Sequence, residues 1–147
     1  MFKHVLVPTD GSDLSEATVN RAIGFAKDAG ARMTFFYAQP DFPMPIYGEG
    51  ALIDPTTPEQ FAKGAAQEAA RILDSARAKA EAVGIVCDTD TNVNEVPYEA
   101  IIDAAERHGC DLIFMASHGR RGLASLLLGS ETHKVLTHTR IPVLVYR

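Results

Sequence analysis

The sequence predicts a three-layer α/β fold: a five-stranded parallel sheet with helices on both faces. Three observations predict it. Short apolar or β-branched runs alternate with longer amphipathic stretches, and glycine follows three of those stretches, at Gly30, Gly84 and Gly109. The 147 residues, 46% hydrophobic and 22% charged, are enough for one self-supporting domain spanning 1–147.

Residues 3–7 form the first apolar run, which stops at the turn and cap cluster Pro8, Thr9, Asp10, Gly11, Ser12 and Asp13. Apolar or small residues at Leu14, Ala17, Ala22, Phe25, Ala26 and Ala29 then trace a helical face that ends at Gly30. The aromatic run 33–38 is too short for a helix and reads as a second strand. Residues 39–58 carry five prolines and form a long loop whose Phe42, Met44, Ile46 and Tyr47 suit either a binding segment or a flap packed on its own domain.

From Glu59, the spacing of Phe61, Ala65, Ala69, Ile72, Leu73, Ala76, Ala80 and Val83 predicts a long amphipathic helix closed by Gly84. Residues 85–93 alternate with period two, and one side is the polar Asp88, Asp90 and Asn92, as on a strand near a sheet edge. Pro97 starts a helix through His108 that buries Ile101, Ile102 and Ala105. Residues 112–116 are apolar throughout, as in a parallel strand covered on both faces. A helix capped by Ser130 follows a glycine-bearing loop, and 141–146 is the last strand.

Fourteen basic against nineteen acidic residues give a net charge of −5, without the basic excess that nonspecific nucleic-acid binding needs. No apolar run approaches a membrane span, and the N-terminus lacks a signal pattern, so a cytoplasmic protein is expected. Cys87 and Cys110 have no paired spacing and read as two buried free thiols. His4, His108, His133 and His138 share no metal spacing and read as surface or capping residues. Asp88, Asp90, Asn92 and Glu99 imitate a calcium loop, but Val93 stands where its glycine is required and Pro97 interrupts it. A Walker loop is absent.

Ligands in such sheets sit beyond the strands' C-terminal ends, where the winding reverses. If the strand order is 3-2-1-4-5, as expected here, the first and fourth strands flank that point. Their exits also carry the chemistry: Pro8 to Asp13 after one, and Ala116, Ser117, His118, Gly119, Arg120, Arg121 and Gly122 after the other. The second segment has the parts of a phosphate cradle. Glycines admit backbone N–H groups to an anion, the helix start at Ser130 adds more, and Arg120, Arg121 and the Ser130 and Thr132 hydroxyls add further donors. An exposed basic loop before a capped helix would look the same.

Ala116-x2-Gly119-x9-Gly129-Ser130, with Pro8-Thr9-Asp10 after the first strand and Pro142-Val143-Leu144-Val145 at the end, resembles the universal stress protein family over the whole chain. The resemblance implies a five-stranded parallel fold that binds ATP, usually as a homodimer. Against the family pattern G-x2-G-x9-G-[ST], Gly119, Gly129 and Ser130 match, and Ala116 replaces the first glycine. The resemblance also implies that Pro8, Thr9, Asp10 and Ala38 line an adenosine pocket. Residues 116–122 with Ser130, Glu131 and Thr132 would surround ribose and phosphates.

Chemically, Asp10 suits a ribose hydroxyl or a magnesium ion held through water, and equally a helix cap. His118 suits donation to a phosphate oxygen, whereas no carboxylate beside it in sequence orients it as a general base. The apolar strand 141–146 should lie at a sheet edge and invite a homodimer, unless its own chain covers it. Three functions fit: a nucleotide-dependent regulator or stress-response factor with little or no catalysis, a slow ATP hydrolase of the related adenine-nucleotide hydrolases, or a nucleotide-free dimeric interaction protein.

Overall fold

The computed structural model describes residues 1–42, 57–119 and 128–147. Nine elements alternate as predicted: β1 (His4–Pro8), α1 (Asp13–Ala29), β2 (Arg32–Gln39), α2 (Pro58–Glu81), β3 (Cys87–Val93), α3 (Pro97–Arg107), β4 (Leu112–Ala116), α4 (Ser130–His138) and β5 (Val143–Tyr146). The five strands form one parallel sheet in the order β3-β2-β1-β4-β5. The chain therefore winds outward from β1 to β3, then crosses back to β4, and the reversal falls between β1 and β4.

Residues 4–7, 33–37 and 112–115 of the three central strands are buried, so successive side chains feed two cores. Val5, Val7, Met33, Phe35 and Phe114 pack under α1 and α2, while Leu6, Phe36, Ile113 and Met115 pack under α3 and α4. Period-two alternation of this kind is invisible in a strand whose two faces are both apolar. Helix ends are set locally. Ser12 accepts from Ser15 N at the start of α1, Thr57 and Gln60 form a reciprocal capping box on α2, and Gly30 and Gly109 take φ of 66° and 65° just beyond α1 and α3.

Several expectations are corrected. The buried face of α1 is Ser15, Thr18, Val19, Ala22, Ile23 and Ala26, while Ala17 and Ala29 are exposed. Two polar residues enter that face because their hydroxyls find partners: Thr18 Oγ1 donates to Leu14 O at 2.7 Å, and Ser15 Oγ lies 2.7 Å from Thr9 Oγ1. On α3, Ala100 and Ala104 are buried beside Ile101 and Ala105, and Ile102 is half-buried. Helix α3 stops at Arg107, with His108 as its C-cap. Val83 is 41% exposed, beyond the end of α2.

The last strand begins at Val143 rather than at residue 141, because Ile141 N is turned to Thr139 Oγ1 and Pro142 has no N–H to give a ladder. Strand β3 begins at Cys87 rather than at residue 85, because Ile85 N closes the end of α2 on Ala80 O. It is an edge strand, yet its polar side is engaged: Arg32 pairs with Asp88, and Arg107 and His108 both reach Asp90 at 2.9 Å. Burial opposes ionisation of Asp90, but the hydrogen bonds from His108 and Arg107 prevail and hold it below the usual carboxylate value. Cys87 is only half-buried.

At the N-terminal end of the sheet His4 is not a surface residue. It is 8% exposed and its Nε2 lies 2.8 Å from Thr34 Oγ1. Burial, assisted by Arg32, lowers its pKa. Cys110, also buried, has its thiol pushed up to about 12, chiefly by desolvation. Asp111 accepts the backbone N–H of Lys3 and His4 at 2.9–3.1 Å and so ties the chain start to β4.

Candidate functional site

The exit of β1 is a compact polar turn. Pro8 ends the strand, and Thr9 N donates to Phe36 O at 2.9 Å, which keeps β1 and β2 together one residue further. Asp10 N donates to Ser15 Oγ at 3.1 Å, and Asp10 Oδ1 accepts from Ser12 N at 2.9 Å. Gly11, at φ 77°, makes the reversal between them. The cap of α1 is thus Ser12, and Asp10 braces the turn before it.

The exit of β4 is held from two sides. Ser117 N donates to Tyr146 O of the β5 end at 2.8 Å, and Ser117 O accepts from Gly129 N at 2.7 Å. Ala116 O accepts from Thr132 Oγ1 at 2.9 Å. These bonds close the segment 116–129 at its base, with buried Ser117 and Thr132 as its fasteners. Thr132 is 3% exposed, so its hydroxyl is committed to this closure. His118 Nδ1 lies 3.3 Å from Ser117 Oγ.

The glycines here serve close approach rather than unusual dihedrals. Gly129 has φ −60° and ψ 151°, which any residue adopts. A Cβ built on it would stand 3.0 Å from His118 Cα and 3.1 Å from Ser117 O. A Cβ built on Gly119 would run into Asp10 Oδ2, so the two exits touch at this point. No non-glycine residue among those described has positive φ, and Ala116 therefore sits in β4 without strain.

Helix α4 starts differently from the expectation. Its N-cap is Gly129, whose carbonyl already accepts from His133 N at 3.0 Å, and Ser130 is the first helical residue. Glycine has no side chain to offer, so the first turn of α4 carries no side-chain cap, unlike those of α1 and α2. The open donors and the dipole of α4 therefore start beside Ser117 and His118, at the exit of β4.

Of the expected site residues, Pro8, Thr9, Asp10, Ala116, Ser117, His118, Gly119, Gly129, Ser130 and Thr132 come together at the β1 and β4 exits. Ala38 is half-buried one strand away, two residues past the Phe36 that pairs with Pro8. The carboxylate of Glu131 is turned to α3, where Oε2 accepts from Tyr98 N at 2.9 Å, while Oε1 accepts from Lys134 Nζ of α4 itself at 3.2 Å. Arg120, Arg121 and Gly122 lie outside the described residues, as does the loop segment with Met44, Ile46 and Tyr47. Ser15 and Tyr98 were not legible as part of this region, since a serine in a helix and a tyrosine after a proline carry no local signal for partners far along the chain. Among the described residues, no group of three His, Cys, Asp or Glu side chains could hold a metal ion.

The model of the Universal stress protein family matches residues 1–147. Universal stress protein MJ0531 of Methanocaldococcus jannaschii is 33% identical over 150 residues, which cover 100% of this chain and 83% of that protein. Universal stress protein YxiE of Bacillus subtilis is 30% identical over 151 residues, covering 100% of both. A solved universal stress protein in complex with cAMP superposes with a TM-score of 0.70 at 26% identity, over 99% of this chain and 97% of that one.

Proposed function

The chain belongs to the universal stress protein family, and from that premise we propose that it binds an adenine nucleotide, ATP, at the joined exits of β1 and β4. The observation that carries this reading is the start of α4, which has no side-chain cap and lies against Ser117 and His118, next in the chain to the Gly119 that meets Asp10. An unsatisfied helix start is an anion site, and the switch point of a parallel sheet is where ligands enter. The cAMP complex of a relative at 26% identity supports the adenine class.

In this reading the phosphates lie on the first-turn amides of α4, from Ser130 to Thr132, and on the segment 116–122. The adenosine lies along Pro8, Thr9, Asp10 and Ala38. Magnesium keeps most of its waters and would ride on the phosphates, with Asp10 reached through water. The ring of His118 has a serine hydroxyl beside it, and the chemistry favoured is binding, as a nucleotide-dependent regulator or stress-response factor, over turnover. No described helix is long and apolar enough to cross a membrane.

The two sheet edges differ. Strand β3 carries charged pairs along its edge, whereas β5 is Val143, Leu144, Val145 and Tyr146. An uncharged edge invites strand addition, and we propose a homodimer through β5. A monomer by light scattering at micromolar concentration overturns the dimer.

Purification without added nucleotide, denaturation and mass spectrometry of the released small molecule test the main reading. Near-stoichiometric ATP supports it. Release of AMP, with pyrophosphate formed at ordinary enzyme turnover, supports the hydrolase instead. An empty protein that also fails to bind ATP with magnesium overturns nucleotide binding and leaves the dimer as the functional unit.

A further inference from the structure

We propose that Tyr98 is a positioning residue for the nucleotide site: it clamps α4 from α3 and so keeps the first turn of α4 closed on Ser117. The inference rests on the nucleotide reading only for its ligand. Its geometry stands on contacts of Tyr98 that the described residues supply.

Helix α4 has nine residues, of which only Thr132 and Val135 are buried. So little apolar contact leaves its placement to polar attachments. Three of them converge on one residue. Tyr98 N donates to Glu131 Oε2 at 2.9 Å, the Tyr98 ring centroid lies 4.9 Å from that of His138, and Lys134 Nζ stands 5.6 Å from the Tyr98 ring centroid. Residues 131, 134 and 138 are spaced i, i+3 and i+7, which is one stripe of a helix. One face of α4 therefore rests on a single side chain and its amide.

The sequence of α3 explains why the amide is available. Pro97 takes the first helical position, and the N-cap, Val96, has no side-chain acceptor. The N–H of Tyr98 is then a helix-start donor without a local partner, and Glu131 supplies the acceptor from the next helix. The same bond, with that from Lys134, engages a carboxylate in the first turn of α4, where an unpaired negative charge would oppose a phosphate. At that same turn, Gly129 N to Ser117 O and Thr132 Oγ1 to Ala116 O fasten the base of the site. A shift of α4 reaches these two bonds directly, while the sheet that would hold adenosine stays in place.

The test uses the whole chain with Tyr98→Ala, Tyr98→Phe and Glu131→Ala, amide hydrogen exchange at Gly129, and calorimetric affinities for ATP and for adenosine. Tyr98→Ala removes the ring contacts and should speed exchange at Gly129 about tenfold and weaken ATP about fivefold, with adenosine changed less than about twofold. Tyr98→Phe should match the unmodified protein, because among the described residues the hydroxyl meets only Glu99, at 3.2 Å. Glu131→Ala leaves the ring in place and should reproduce the faster exchange. A general loss of stability would lower both affinities together, and that result overturns the clamp, as does unchanged exchange at Gly129 in both alanine variants. Failure of the unmodified protein to bind ATP overturns the functional reading instead, and exchange then decides the clamp alone.

Discussion

Gly129 and Ser117 are locked backbone to backbone: the Gly129 N–H donates to the Ser117 carbonyl at 2.7 Å, and a methyl group on Gly129 would stand 3.1 Å from that oxygen and 3.0 Å from His118 Cα, so the backbone there would have to give way. The glycine is needed because two chain segments meet there, since its φ of −60° is ordinary. Gly129→Ala should force the 116–129 base apart and cost about 1–3 kcal/mol, the usual range for overpacking against backbone. Urea unfolding measures this, and ATP affinity should fall at least about tenfold with it.

Gly119→Ala should behave differently, although it belongs to the same motif. The atom its Cβ would meet is Oδ2 of Asp10, a side-chain atom rather than backbone, and moving it strains the bond by which Oδ1 holds Ser12 N. Stability should fall by about 0.5–1.5 kcal/mol, the worth of one such hydrogen bond. Nucleotide affinity should also drop, because Asp10 is displaced from the joint between the two exits. Equal losses of stability at 119 and 129 would contradict this division.

His4 should make stability depend on pH. Its folded pKa is lowered from 6.5, by burial first and then by Arg32, so the fold favours the neutral ring. That contribution is present in full above 6.5 and is lost as the pH falls below it toward the lowered folded value. His4→Gln should melt lower than the unmodified protein at pH 8. The gap between the two melting temperatures should narrow as the pH is brought from 7 down through 5.5, and a constant gap would refute the assignment.

Cys110 should be inert in the native protein. It is 6% exposed and its thiol is pushed up to about 12, mainly by burial, so thiolate is scarce at pH 8. A thiol-reactive dye should modify it only as fast as the protein opens. Cys87, half-buried and also raised by desolvation, should react first, and mass mapping of the labelled peptides resolves the order.

Ala116→Gly restores the family's first glycine but should not help the fold. Ala116 lies in β4 at negative φ and pairs with Tyr146, so glycine there adds only backbone freedom, a cost of about 0.5–1 kcal/mol. A rise in ATP affinity would show that the methyl group, and no backbone strain, hinders the ligand.

Much of this was legible in the chain alone. Alternation of strand and helix signals, glycines at helix ends and the right-handed crossover determined five parallel strands covered on both faces. These follow from local backbone preferences and chirality, which short segments carry within themselves, whereas the order 3-2-1-4-5, and with it the meeting of the β1 and β4 exits, is decided by how the sheet packs. Burial of Ser15, Thr18 and His4 was not legible, because polarity patterns do not reveal whether a hydroxyl or ring has found a partner. Nor were the closure of Gly129 on Ser117, the approach of Gly119 to Asp10 across the sheet, and the seat of α4 on Tyr98. Each depends on distances between groups remote along the chain, and those distances exist only once both cores have packed.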